Sequence, residues 1–147
     1  MKDHSTVSIL ALIVGATFLL VGVLGFVPGI TTNIGDITFA SHDSDAKLLG
    51  IFEVSILHNI VHLLFGLAGL ALWRSSSSAR SFLIGGGFTY LLLTVYGSVI
   101  DHDSDANFIP VNGADNLLHL ALGVGMIALG VVGAKASDSA THRHQHA

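Results

Sequence analysis

The chain has no cysteine, few charged residues and only two prolines among its 147 residues. The absence of cysteine excludes disulfides, thiolate metal sites and thiol catalysis. Charged residues make up 11% of the chain and hydrophobic residues 51%, whereas about a quarter of a soluble domain is charged. Only six lysines and arginines are present, and no basic patch indicates nucleic-acid binding. With a mean hydropathy of +0.71, this composition predicts an integral membrane protein.

Four apolar stretches are long enough to cross a bilayer as helices, at about 1.5 Å per residue. We predict an all-α, four-span transmembrane helical bundle with spans at about 7–27, 48–73, 82–100 and 114–133. Residues 1–6 are then a cytoplasmic head and residues 134–147 a disordered cytoplasmic tail. The serines between the second and third spans form a short connection, so these two spans are antiparallel.

The cations are distributed unequally between the two ends of the predicted spans. Five of the six lysines and arginines fall on the side that holds both termini, and only Lys47 falls on the other. The positive-inside rule therefore places both termini of this multi-pass protein in the cytoplasm. The lipid bilayer is the predicted partner, and other membrane proteins or a second copy of the chain are further candidates.

Two motifs occur twice in the same order. The pentapeptide HDSDA stands at 42–46 and again at 102–106. After it, His58-Asn59 with His62-Leu63 is echoed 57 positions later by Asp115-Asn116 with His119-Leu120. The order predicts two tandem helical hairpins, related as a parallel repeat with its pseudo-axis along the membrane normal.

The second motif also carries the candidate site. At about 100° per residue, the polar residues of each copy lie on one narrow stripe of a helix. Unpaired polar groups in hydrocarbon cost several kcal/mol each, so these residues need partners. If the second and fourth helices face each other, six side chains converge at one depth: His58, Asn59, His62, Asp115, Asn116 and His119.

Two main functions fit such a cluster. In the first, it joins helices 2 and 4 by hydrogen bonds in a non-enzymatic accessory or structural protein. In the second, it makes a redox or sensing module. His58, His62, His119 and Asp115 would then hold a transition metal such as Zn²⁺, Cu²⁺ or Fe²⁺, or His62 and His119 would ligate a haem. A channel or proton path that uses the histidines is a third hypothesis. No catalytic residue is predicted, because no Ser-His-Asp set converges beside an oxyanion site.

The apolar segments and the second motif resemble a known family. The matching segments are 22–29 (GVLGFVPG), 48–52 (LLGIF), His58-Asn59 with His62, and Asp115-Asn116 with His119-Leu120. They resemble the markers of a bacterial four-helix membrane family, domain of unknown function 4383, over roughly residues 15–130. The resemblance implies a four-helix protein of the bacterial plasma membrane with no established activity, so it supports the fold and adds no function.

Overall fold

The computed structural model describes residues 4–145, with side chains described for residues 4–133. Four helices account for most of it: α1 (Thr6–Leu24), α2 (Ile56–Leu72), α3 (Ser76–Val99) and α4 (Gly113–Gln145). Helices α1, α3 and the Gly113–Gly133 part of α4 are long and apolar enough to cross a membrane, whereas the apolar helix α2 has 17 residues. The predicted all-α helical bundle of membrane character is confirmed.

A small sheet lies between α1 and α2. It consists of β1 (Thr31–Thr32), β2 (Lys47–Leu48) and β3 (Phe52–Glu53), antiparallel and in that order, with a 3₁₀ turn at Ile34–Asp36 between β1 and β2. The segment between the first two predicted spans, residues 28–47, therefore contains β1 and the first residue of β2.

The second helix begins later than predicted. Residues from Leu48 onward form β2, a turn and β3, because Leu49 and Gly50 adopt φ angles of 55° and 71°, which a type I′ turn needs and a helix excludes. Ser55 then starts α2, its Oγ accepting a hydrogen bond from the His58 backbone N–H at 3.1 Å. The apolar character of residues 48–52 hides this boundary from a hydropathy profile.

Helix α3 begins earlier than predicted, and a serine caps it as Ser55 caps α2. Ser75 Oγ accepts a hydrogen bond from the Ser78 N–H, so the serines expected to be a flexible connection form the first turn of the helix.

The backbone of α4 continues through Gln145, although the sequence predicts a disordered tail from residue 134. Residues 134–145 are polar, but they contain no glycine or proline to end a helix and three alanines that favour one. The first three residues of the predicted head lie outside the described residues.

Glycines bring the helices of each hairpin together. A Cβ atom on Gly15 of α1 would lie 2.9 Å from Gly69 Cα and 3.1 Å from Gly66 O of α2. In the second hairpin, a Cβ on Gly87 of α3 would lie 2.7 Å from Gly123 O of α4. Backbones this close are typical of membrane helices that pack through small residues. The bundle is thus built from two closely packed pairs, α1 with α2 and α3 with α4.

The two hairpins meet at a pair of aromatic rings. Phe18 of α1 stacks on Tyr90 of α3, with ring centroids 5.4 Å apart and an angle of 7° between the planes. Both rings belong to the main apolar core, whose buried members are Val7, Ala11, Phe18, Ala79, Phe82, Leu83, Tyr90 and Met126. Two histidines of the predicted site contact this stack, His62 at the ring of Phe18 and His119 at the ring of Tyr90.

Candidate functional site

His62 occupies the centre of the site and uses both of its ring nitrogens. Its Nδ1 lies 3.1 Å from the carbonyl oxygen of His58, and its Nε2 lies 3.4 Å from the hydroxyl of Tyr90. A carbonyl can only accept, so Nδ1 carries the proton and Nε2 accepts from the tyrosine hydroxyl. His62, which is 9% exposed, therefore connects α2 to α3 inside the bundle.

His58 and His119 contact the same centre but keep free ring atoms. The His58 ring stacks on His62 at a centroid distance of 4.3 Å, and the His119 ring lies 5.2 Å from that of Tyr90. The Nδ1 atoms of His58 and His119 are buried and have no hydrogen-bond partner. His119 is only 3% exposed, so bulk water does not supply one.

A cavity of about 90 Å³ lies between these rings. Five polar residues line it, Ser55, His58, His62, Tyr90 and His119, together with the apolar residues Leu57, Val61, Leu93 and Ile109. A space of this size has room for a few water molecules or a small chemical group. The structure thus brings three of the six predicted residues to one cavity.

The two asparagines of the predicted cluster lie elsewhere. Each packs against a glycine near the C-terminal end of the preceding helix. The Asn59 side chain lies against Gly25, the C-cap of α1, and the Asn116 side chain lies against Gly97 of α3. Asn116 Nδ2 donates to the carbonyl oxygen of Gly97 at 2.8 Å. Both asparagines therefore act within their own hairpins, not between α2 and α4.

Asp115 also lies outside the cavity. Its Oδ2 accepts hydrogen bonds from the backbone N–H groups of Asn112, at 3.0 Å, and Glu53, at 3.1 Å. Asn112 Oδ1 in turn accepts from the Asp115 N–H at 3.0 Å, so the two residues form a reciprocal capping box at the start of α4. Asp115 stabilises the helix start and attaches it to β3.

Tyr90 is the site residue that sequence reasoning missed. It supplies the hydroxyl that binds His62 and the ring that contacts His119. The available signal was a tyrosine in the middle of an apolar helix, since a buried phenol needs a hydrogen-bond partner. Its partner lies 28 positions away in the chain, so local patterning could not identify it.

The four predicted metal ligands, His58, His62, His119 and Asp115, do not form a preorganised metal centre. Among the described residues, no group of three or more His, Asp or Glu side chains is arranged to hold a metal ion. Asp115 is directed to the backbone of Asn112 and Glu53, and both nitrogens of His62 are engaged. A haem macrocycle is far larger than the 90 Å³ cavity, and Tyr90 contacts both His62 and His119. The described residues therefore do not fit a haem.

Glu53, beside Asp115, is partly buried in β3, and burial raises the pKa of its carboxyl above the usual 4.5. Lys47 and His102 oppose the rise, and Asp45 adds to it. The folded chain thus binds this proton more tightly than the unfolded chain, so stability falls as pH rises through the range from 4.5 to the raised pKa.

We expect Glu53→Gln to be slightly more stable than wild type at neutral pH and to lose that advantage in acid, because glutamine resembles the protonated carboxyl. Thermal unfolding in detergent at both pH values measures the difference between the variant and wild type. The same difference at both pH values would contradict the prediction.

Among known proteins, the chain is similar to one described family. No curated protein and no solved structure matches the chain. A known family matches residues 8–132, which extend from the third residue of α1 to one residue before the end of the apolar part of α4. The matched range is most of the chain, and it agrees with the resemblance carried by the paired His and Asn motifs. The chain therefore belongs to the family described as domain of unknown function (DUF4383).

Proposed function

We propose that this chain is a non-enzymatic integral membrane protein, with an accessory or structural role, whose buried polar side chains hold two helical hairpins in register. The observation that carries the proposal is the contact of His62 with Tyr90, a hydrogen bond between the hairpins within an apolar bundle. In hydrocarbon such bonds specify register, because a displaced helix would leave both groups unpaired.

Two further contacts support the same role nearer the outer loops. Asp115 accepts from the Glu53 backbone, and Asn112 Nδ2 donates to the Ile51 carbonyl oxygen at 2.9 Å. Both contacts join the start of α4 to the β2–β3 hairpin. The connection between the hairpins thus runs from α2 to α3 and from α4 to β3, rather than directly from α2 to α4.

We also propose that all four helices cross the plasma membrane of a bacterium, with both termini in the cytoplasm. Helix α2 alone spans about 26 Å at 1.5 Å per residue, slightly less than the hydrocarbon core. Arg74 lies between α2 and α3, and Arg80 lies in the first turns of α3, both on the side predicted to be cytoplasmic.

The contacts also support the proposal that the two hairpins are repeats. In the first hairpin Asn59 packs on Gly25, and in the second Asn116 packs on Gly97. Both helices that carry these asparagines follow a capping residue in corresponding positions, Ser55 and Asn112. Phe18 lies seven residues before Gly25, and Tyr90 lies seven residues before Gly97. Their rings stack across the interface between the hairpins.

The second candidate is transition-metal binding by His58, His119 and His62. The unpaired Nδ1 atoms of His58 and His119 favour it, because a neutral imidazole nitrogen is a metal ligand. His62 would have to release Tyr90 or the His58 carbonyl to take part. Metal analysis of the purified protein distinguishes the candidates, since stoichiometric metal that is lost in His119→Ala would replace the structural proposal.

Two histidines one turn apart provide a matched test of the structural role. We expect His62→Ala to lower the stability of the detergent-solubilised protein by about 2–3 kcal/mol, because it leaves the Tyr90 hydroxyl unpaired and opens a cavity. His58→Ala should cost about 1 kcal/mol or less, because the ring makes no hydrogen bond through its buried Nδ1. Thermal unfolding without added lipid or metal measures both.

The Tyr90→Phe variant isolates the hydrogen bond from the packing. A double-mutant cycle with His62→Ala should give a coupling energy of about 1 kcal/mol. Zero coupling, or equal losses from the His58 and His62 substitutions, would show that this contact does not hold the hairpins together.

A further inference from the structure

An apolar groove adjoins the histidine cavity on the outside of the bundle. The groove lies between α2 and α3, has a volume of about 460 Å³, and extends from Val61 and Thr89 to Ala68 and Phe82. Seven helical residues separate Val61 from Ala68, so the groove is roughly 10 Å long. It marks the seam between the two hairpins.

The groove and the cavity are neighbours, because Val61 lines both of them. Val61 is 43% exposed and Leu64, next along the groove, is 60% exposed, so the groove opens to the surroundings of the bundle. In a membrane those surroundings are acyl chains. A ligand that enters from the bilayer would therefore reach the groove and the histidine cavity side by side.

The two spaces differ in the residues that line them, since three histidines and a tyrosine line the cavity and mostly apolar residues line the groove. The groove is lined by apolar groups apart from Ser81 and Thr89, and the Thr89 hydroxyl already donates to the Gly85 carbonyl oxygen. His58 and His119 both line the cavity, and the Nδ1 atom of each is buried and has no hydrogen-bond partner. His119 is only 3% exposed. Each neutral imidazole has one donor and one acceptor nitrogen, so a hydroxyl or carbonyl oxygen can satisfy it.

Charge limits the class of ligand. No lysine or arginine lines the cavity or the groove in the described part of the chain. A phosphate or carboxylate head group would be buried there without a cation, at a high cost in desolvation. A neutral head group avoids that cost.

We propose that the histidine cavity and the adjoining groove together bind one neutral membrane lipid. Its small head group, bearing carbonyl or hydroxyl oxygens, lies between His58 and His119, and its apolar tail lies along the groove between α2 and α3. The site goes beyond the structural role proposed above, because it uses the two histidines that the hairpin contact leaves unpaired.

Two probes test the site on the purified full-length protein in detergent. Decylubiquinone presents ring carbonyls on an alkyl tail, and dioctanoylglycerol presents a hydroxyl and ester carbonyls on acyl tails. We expect at least one of them to raise the unfolding temperature in a saturable way, as a ligand of the folded state does. The probe that does so identifies the head-group class, and decanoate, which is anionic, should have no such effect.

The chain offers variants for each half of the site. A Cβ on Gly85 would meet no atom within 4 Å, so Gly85→Leu fills the groove without disturbing the fold, and we expect at least tenfold weaker binding. Gly125 on α4 is equally open and does not line the groove, which makes Gly125→Leu the matched control with unchanged affinity. His58→Leu removes the head-group partner and should also weaken binding at least tenfold.

The outcomes are decisive. Absence of saturable binding by either probe, or equal binding by wild type and Gly85→Leu, overturns the proposal. Binding that survives His58→Leu overturns the placement of the head group. None of these results alters the stability comparison of His62 with His58, so the structural role and the lipid site can fail separately.

Discussion

Replacing Gly66 by leucine is expected to prevent the first hairpin from forming. A single added Cβ would lie 2.6 Å from the backbone nitrogen of Leu19 and 2.8 Å from its Cα, and backbone cannot move aside as a side chain can. Leucine adds three further carbons in the same direction. We expect Gly66→Ala to cost about 2–3 kcal/mol and Gly66→Leu to yield aggregated protein, as judged by size-exclusion chromatography and thermal unfolding in detergent.

Gly125→Leu is the control for this prediction as well. It adds the same side chain to a membrane helix at a position where a Cβ meets nothing within 4 Å. It should elute and unfold like wild type. A monodisperse, fully stable Gly66→Leu protein would show that α1 and α2 do not pack through their glycines.

The second large effect is expected from Asp115→Ala. The substitution leaves the N–H groups of Asn112 and Glu53 without their acceptor. An unpaired donor that is shielded from water costs about 1–3 kcal/mol, so the loss of both bonds should cost about 2–4 kcal/mol. Thermal unfolding at neutral pH measures it.

Asp105→Ala provides the comparison, since Asp105 is an exposed aspartate in the loop before α4. Its removal should change stability by about 0.5 kcal/mol at most. Asp115→Asn, which keeps one acceptor oxygen, should fall between the two. If Asp115→Ala unfolds at the same temperature as Asp105→Ala, the capping box does not anchor α4 to β3.

The sequence was sufficient for the bundle because composition and long apolar runs report burial in a membrane directly. It also predicted His62 and His119 as buried neighbours of one centre, since polar residues in an apolar helix must find partners. It failed at the second helix, where residues 48–52 are as apolar as the helix that follows. The left-handed turn at Leu49 and Gly50 has no signature in hydropathy.

The six residues of the predicted polar cluster are divided in the structure for a geometric reason. Helical position places Asp115 and His119 on one stripe, but a side chain in the first turn is drawn to unpaired backbone N–H groups. The Asn112-x-x-Asp115 spacing is a capping signal that could have revealed this. The contact of Tyr90 with His62 depends on how two hairpins dock, which neither hairpin encodes alone.

The aromatic stack at the centre of the bundle distinguishes the two imidazoles beside it. Phe18 and Tyr90 stack with nearly parallel planes, yet only Tyr90 carries an oxygen atom. That hydroxyl lies 3.4 Å from Nε2 of His62, whereas Nδ1 of His119 has no hydrogen-bond partner. A single oxygen atom therefore commits His62 to the contact between the hairpins, while His119 keeps one nitrogen unpaired.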